Sequence, residues 1–239
     1  MEVAEQSPLR KYVPSGKLAR AAFYLALEAL PAPILNHSLR TFLFTKWLAE
    51  REGDPYATEY VDVLFVACLF HDFGATETHN HDERFEVCGG DAAVRFMKEY
   101  LAAEAQERIV VNTTPASVEQ PPMTPTQVWD VWTAIALHTS PGIAERIHPL
   151  ARLIRLGVLL DFRQATRVKL EAVEFGKQVD DDVPRLEIEK VLGDAVVKQA
   201  MSKQEGDARN QKAPAASWAG VLLRSHLEDP SWDGVNRAF

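Results

Sequence analysis

Four side chains in this sequence have the chemistry to share a cation. His71 and Asp72 stand side by side at the end of the apolar run "ACLFHDFGAT", residues 67–76. His37 precedes His71 by 34 positions, and Asp161 follows Asp72 by 89. Dehydrating an imidazole and a carboxylate costs free energy unless something pairs with them. Imidazole and carboxylate together suit Zn²⁺, Fe²⁺ or Mn²⁺, and such an ion is the charge partner the buried dyad requires. Each residue also has an ordinary reading. A lone histidine on an apolar face is most often a hydrogen-bonded core residue, Asp72 ahead of Gly74 can be a helix stop, and Asp161 can pair with Arg155 or Arg163. The metal reading accounts for all four together.

Helices must position these groups. "KLARAAFYLALEAL" from Lys17 is rich in helix formers, with Ser15 placed to cap it and Pro31 and Pro33 to stop it. A second helix runs over 34–52 to Gly53 and a third over 57–72 to the region of Gly74. A fourth spans 83–105, and its Gly89-Gly90 pair implies close approach to another helix. A Pro-rich loop at 113–124 leads to a helix over 126–138 that begins at Thr124-Pro125. The pattern then reads as one helix over 144–162, a charged stretch with a helix near 185–205, a helix over 214–228, and a closing "PSWDGVNRAF" able to dock. Tyr60, Leu64, Ala67 and His71 share a stripe at helical spacing, as do Leu150, Ile154, Gly157 and Asp161. His37 falls in the first turn of its helix. No alternating strand pattern is present. The expectation is a single all-α domain of about eight helices over 15–239, with residues 1–14 as a flexible tail.

Composition narrows the function. A chain of 239 residues is long enough for one substantial core. With 26 basic against 34 acidic residues the net charge is −8, which disfavours nucleic acid and favours a small neutral substrate. Two cysteines, Cys68 and Cys88, form no disulfide framework, which implies a reducing, cytoplasmic setting. The first residues lack a secretory apolar segment, and no apolar run approaches the roughly 18 residues of a membrane span. The Asn112-Thr-Thr sequon is read as chance.

The strings "HSLR…ACLFHDFG…AIALHTSPGIA…LIRLGVLLDF" resemble the HD-domain metalloprotein superfamily. With "RFEVCGGDAA", the chain resembles the cyanamide hydratase family from about residue 17 onward. That resemblance implies one divalent metal per chain, zinc first and iron as the alternative, held by His37, His71, Asp72 and Asp161. It implies a lyase in which a metal-bound hydroxide adds to the nitrile carbon of cyanamide, or of a similar small nitrile, to give urea or an amide. Asp72 would double as the base that orients water. His138 would donate to the nitrile nitrogen, with Thr139 and Ser140 as weaker donors. Phe44, Trp47, Phe73, Phe85 and Thr139 would line a small pocket. A homo-oligomer is compatible with this reading, and neither nucleic acid nor membrane is expected as a partner.

The rival reading is an HD phosphohydrolase acting on a nucleotide. Many such enzymes read HDxxK, whereas Ala75 follows "HDFG" here, leaving Arg40 and Lys46 as candidate phosphate contacts. Among His79, His81, His138 and His148, His138 ends an apolar helix where it can face the site, His79 and His81 form either a loop at the site mouth or a plain solvent-exposed stretch, and one metal is expected rather than two. A third reading is a non-enzymatic binding protein stabilised by the metal.

Overall fold

A computed structural model describes residues 7–111, 123–202 and 211–239. Among these residues it contains eleven α-helices and no strand, so the fold is all-α, with somewhat more helices than expected. They are α1 (Lys17–Ala29), α2 (Ala32–Glu52), α3 (Val61–Phe70), α4 (Phe85–Val111) and α5 (Pro125–Leu137), then α6 (Ala144–Ile147), α7 (Pro149–Phe162) and α8 (Gln164–Lys169), and finally α9 (Val173–Asp182), α10 (Ile188–Ser202) and α11 (Trp218–Glu228). No helix among the described residues is long and apolar enough to cross a membrane.

The centre of the bundle is α3. Every residue from Asp62 to Phe70 is buried, as befits a helix that is apolar around most of its circumference. Around it pack α1, α2 and α5, while α7 lies across α2 and α5, and α4 runs along α5. One hydrophobic cluster extends from Val13 to Leu223, and a smaller one joins Phe44, Leu160, Ala172 and Val179.

Several boundaries differ from the sequence pattern, each for a local reason. Ser15 does not cap α1. Gly16 is the N-cap, and a carboxylate oxygen of Asp62 on α3 accepts from the Ala19 N–H at 3.4 Å. A Cβ at position 16 would stand 1.7 Å from that same oxygen, so any larger residue there would displace the Asp62 carboxylate from the start of α1. The helix α3 begins at Val61 rather than 57, because Pro55–Ala57 forms a separate 3-10 turn. The expected helix over 144–162 is two, since Pro149 forces His148 into an extended conformation (φ −161°, ψ 145°) and starts α7 afresh. The charged stretch after Arg163 holds two further helices, α8 and α9.

Other expectations match. Gly53 closes α2 in the left-handed region at φ 66°. Thr124 and Gln127 form a capping box at the start of α5. A Cβ at Gly89 would meet the Phe70 carbonyl oxygen at 2.8 Å and that of His71 at 3.2 Å, which explains the glycine at the α4–α3 crossing. The segment expected to be a tail is described from Ser7 onward. Pro8–Tyr12 is a 3-10 turn, and Val13 enters the main core. Residues 1–6, most of the Pro-rich loop with Asn112, and the end of the helix expected to reach 205 lie outside the described residues.

Candidate metal centre

The histidines are oriented by their own helices. His71 caps the C-terminus of α3, and its Nδ1 lies 2.6 Å from the Cys68 carbonyl oxygen. His138 caps α5 in the same way, with Nδ1 2.7 Å from the Ile135 carbonyl oxygen. On α2, His37 Nδ1 lies 2.6 Å from Asp161 Oδ2. Carbonyl and ionised carboxylate oxygens only accept, so each Nδ1 carries the hydrogen and each Nε2 presents a lone pair.

Those lone pairs converge. His37 Nε2 and His71 Nε2 are 3.0 Å apart. Asp72 Oδ2 is 3.2 Å from His71 Nε2 and 3.4 Å from His37 Nε2. Two nitrogen lone pairs at this separation repel unless a proton or cation stands between them. Oxygen and nitrogen ligands about 2.0–2.1 Å from a tetrahedral ion lie roughly 3.3 Å from one another, close to the sides of this triangle. All three residues are buried, and Asp72 Oδ2 has no hydrogen-bond partner among the described residues. An orphaned carboxylate oxygen facing two imidazoles fits a divalent ion. Burial opposes the charge on Asp72, but His71, then His37 and His138, outweigh it and hold the carboxyl well below the usual carboxylate range. Burial likewise opposes the charge on His71, yet Asp72 raises it.

Asp161 is close by but placed differently from the expectation of a fourth ligand. It sits behind His37, on Nδ1, and is not among the three converging atoms. Neither Arg155 nor Arg163 is its partner. Arg40, fully buried, donates from Nε to Oδ1 at 2.7 Å and from Nη2 to Oδ2 at 2.9 Å, and Arg185 adds a bond to Oδ1 at 3.0 Å. Burial would raise the Asp161 carboxyl, but His37 and Arg40 push it strongly down. A carboxylate on the far nitrogen of a ligating histidine fixes the tautomer and makes the near nitrogen a better ligand. The same geometry removes Arg40 as a phosphate contact, and Lys46 pairs with Glu50 on its own helix.

A cavity of about 270 Å³ opens beside the triad. His37, His71, Asp72, His138 and Thr139 form its polar end. Val158, Leu159 and Phe162 of α7 form one wall, and Leu192, Trp218 and Val221 of α10 and α11 another. Phe239 of the closing tail completes it, 5.0 Å from the Phe162 ring and 5.4 Å from Trp218. Of the five expected pocket residues, Thr139 alone lines this cavity. Phe44 lies in the smaller core cluster, Trp47 stacks on Phe175 at 5.3 Å, and Phe73 stacks on Phe70 at 4.1 Å. Phe85 stands outside, 5.8 Å from His138 and 5.9 Å from Trp218. The actual walls carried only a faint signal in the sequence: Phe162 follows Asp161 directly, and the tail had the apolar content to dock.

His138 Nε2 is 3.7 Å from Asp72 Oδ1, and burial lowers its imidazole to about 3, so it is neutral near pH 7. Behind Thr139 lies a residue that sequence reasoning missed. Glu86, in the first turn of α4, is fully buried and accepts from Thr139 Oγ1 at 2.5 Å. Burial pushes its carboxyl up. Of the other histidines, His148 caps α7 and faces Asp130 at 3.4 Å, His79 lies beside the Phe73 ring, and His81 is exposed.

Residues 34–157, just over half of the chain, match the HD domain family. The chain belongs to the HD domain family. The matched stretch of the HD domain contains His37, His71, Asp72 and His138 and ends before Asp161. Over 79 residues the chain is also 33% identical to two Saccharomyces cerevisiae proteins, Cyanamide hydratase DDI2 and Cyanamide hydratase DDI3. That stretch is 32% of this chain and 35% of each relative, so the match spans about a third of the curated relatives' length.

Proposed function

We propose that this HD domain is a metal-dependent hydratase, adding water across the C≡N bond of a small neutral nitrile, with cyanamide the first candidate and urea its product. The observation that carries the reading is the buried triangle of His37 Nε2, His71 Nε2 and Asp72 Oδ2, with its orphaned oxygen, at the end of a largely apolar cavity. The names of the yeast relatives support the choice of substrate.

One divalent ion per chain, zinc first and iron second, would be held by His37, His71 and Asp72. Three protein ligands leave a position open for water or substrate, as in catalytic rather than structural zinc sites. A bound ion supplies Lewis acidity there, bringing the pKa of water toward neutrality. Asp161 serves as the carboxylate that fixes His37, rather than as the fourth ligand of the superfamily pattern.

The remaining steps belong to side chains. With its hydrogen on Nδ1, His138 starts as an acceptor at Nε2 and becomes the donor expected from the sequence once it has gained a proton. It takes a proton from the attacking water and delivers it to the nitrile nitrogen, where charge develops. Thr139 has given its own hydrogen to Glu86, so its oxygen accepts an N–H from the substrate's amino group and aligns the nitrile. Water and H₂N–C≡N combine to an isourea, which tautomerises to urea.

The phosphohydrolase reading keeps one observation in its favour: Arg155 and Arg163 reach the cavity wall. Arg155, however, already donates to the His138 carbonyl and faces Glu145. The test compares urea release from cyanamide with phosphate release from a nucleotide panel, using zinc-loaded protein, chelated protein and His71→Ala. Zinc-dependent urea release that His71→Ala abolishes is expected. Phosphate release at comparable or higher catalytic efficiency would reverse the two readings.

A further inference from the structure

Cyanamide has three heavy atoms, and the cavity is much larger than such a molecule needs. One water needs only about 10–15 Å³ of such space, so 270 Å³ is room for many water-sized units. Beyond the polar end the lining is Phe162, Trp218 and Phe239 with the aliphatic side chains of Val158, Leu192 and Val221; the Phe162 ring packs 4.5 Å from that of His37, and Arg155 and Arg163 also reach the wall. Near-perpendicular rings at 5.0 and 5.4 Å make an aromatic corner there, with an interplanar angle of 78° in each pair. Apolar walls of this kind offer water no hydrogen bonds but gain by covering apolar surface.

We propose that this chamber selects the substituent: the preferred substrate is a nitrile or cyanamide carrying an aromatic or branched apolar group, and cyanamide itself underfills the site. The proposal rests on the hydratase reading for its reactive group, while the chamber supplies the rest. The C≡N end lies at His37, His71, Asp72 and His138, and the substituent enters the Phe162–Trp218–Phe239 corner. Water adds as before, so that R–NH–C≡N gives R–NH–CO–NH₂.

Calorimetry on zinc-loaded protein compares cyanamide with N-benzylcyanamide, with product formation followed in parallel. Burying a phenyl group should tighten binding by roughly 10-fold or more. Val221→Phe and Val158→Phe, on different helices and each filling part of the chamber, should each erode that advantage. Equal or weaker binding of N-benzylcyanamide by the unaltered protein overturns the proposal, as does an advantage that survives both variants. Tight N-benzylcyanamide binding with neither compound hydrated would overturn the hydratase reading and leave selection of the apolar group standing. Hydration of both compounds with equal affinity would do the reverse.

Discussion

Asp161 would join stability to metal affinity in the proposed site. It neutralises the fully buried Arg40 and also holds His37 by its Nδ1. Asp161→Asn keeps the shape but removes the charge, leaving Arg40 buried without its main counter-ion. Breaking a buried pair from one side costs about 3–5 kcal/mol. Loss of the carboxylate behind a ligating histidine weakens metal binding by roughly 10- to 100-fold. Denaturant unfolding of metal-free protein and a zinc titration measure the two effects separately. Weakened zinc binding with unchanged metal-free stability would place Asp161 on the ion itself. At Glu86, burial raises the carboxyl's pKa, so the folded state binds a proton more tightly than the unfolded state. Its contribution is most favourable at acid pH and is lost as pH rises toward the folded pKa. Glu86→Gln removes that dependence. Melting temperatures of the variant and the parent should therefore diverge in the variant's favour as pH rises from 4 to 8. A gap that narrows over that range contradicts the assignment.

Helix crossings determine how accurately the triad is held. Gly89 lets α4 approach the carbonyls of Phe70 and His71, the turn that aims His71. Gly89→Ala forces the crossing apart, at about 1–3 kcal/mol for overpacking of this kind. It should also weaken zinc binding, because His71 moves with the end of α3. Thermal melts and zinc affinity of the one variant test both, and unchanged affinity at reduced stability would separate the crossing from the site. At this scale much was legible in the sequence. Long apolar patterns gave α2, α4, α5 and α7, and the glycine pair gave the close crossing. The short helices α8 and α9 did not show, because six and ten residues span fewer than three turns, too few repeats to stand out within a charged stretch. The break at His148 was legible in principle, since Pro149 restricts the residue before it.

In the whole molecule, residues distant in sequence meet at one cavity, and this divides what a sequence can reveal from what it cannot. His71 and Asp161 stood out as polar groups on apolar stripes, and His37, Asp72 and His138 by their places at helix ends. The partner of Asp161 did not, because Arg40 lies 121 residues away and only packing joins them. The walls were missed for a similar reason. An aromatic residue's type gives its hydrophobicity but not whether it faces core or cavity, so Phe44, Trp47, Phe73 and Phe85 were read in place of Phe162, Trp218 and Phe239. A metal that binds only the folded chain stabilises it by mass action, by about 2.7 kcal/mol at 100 times its Kd. Chelation should therefore lower the melting temperature, and one equivalent of zinc should restore it. The most direct measurement joins metal to reaction: urea formed from cyanamide as zinc is added back to stripped protein. No urea is expected without metal, then a rise that saturates at one zinc per chain, and no rise in His71→Ala. Urea formation that ignores zinc, or that saturates only at two per chain, would contradict that expectation.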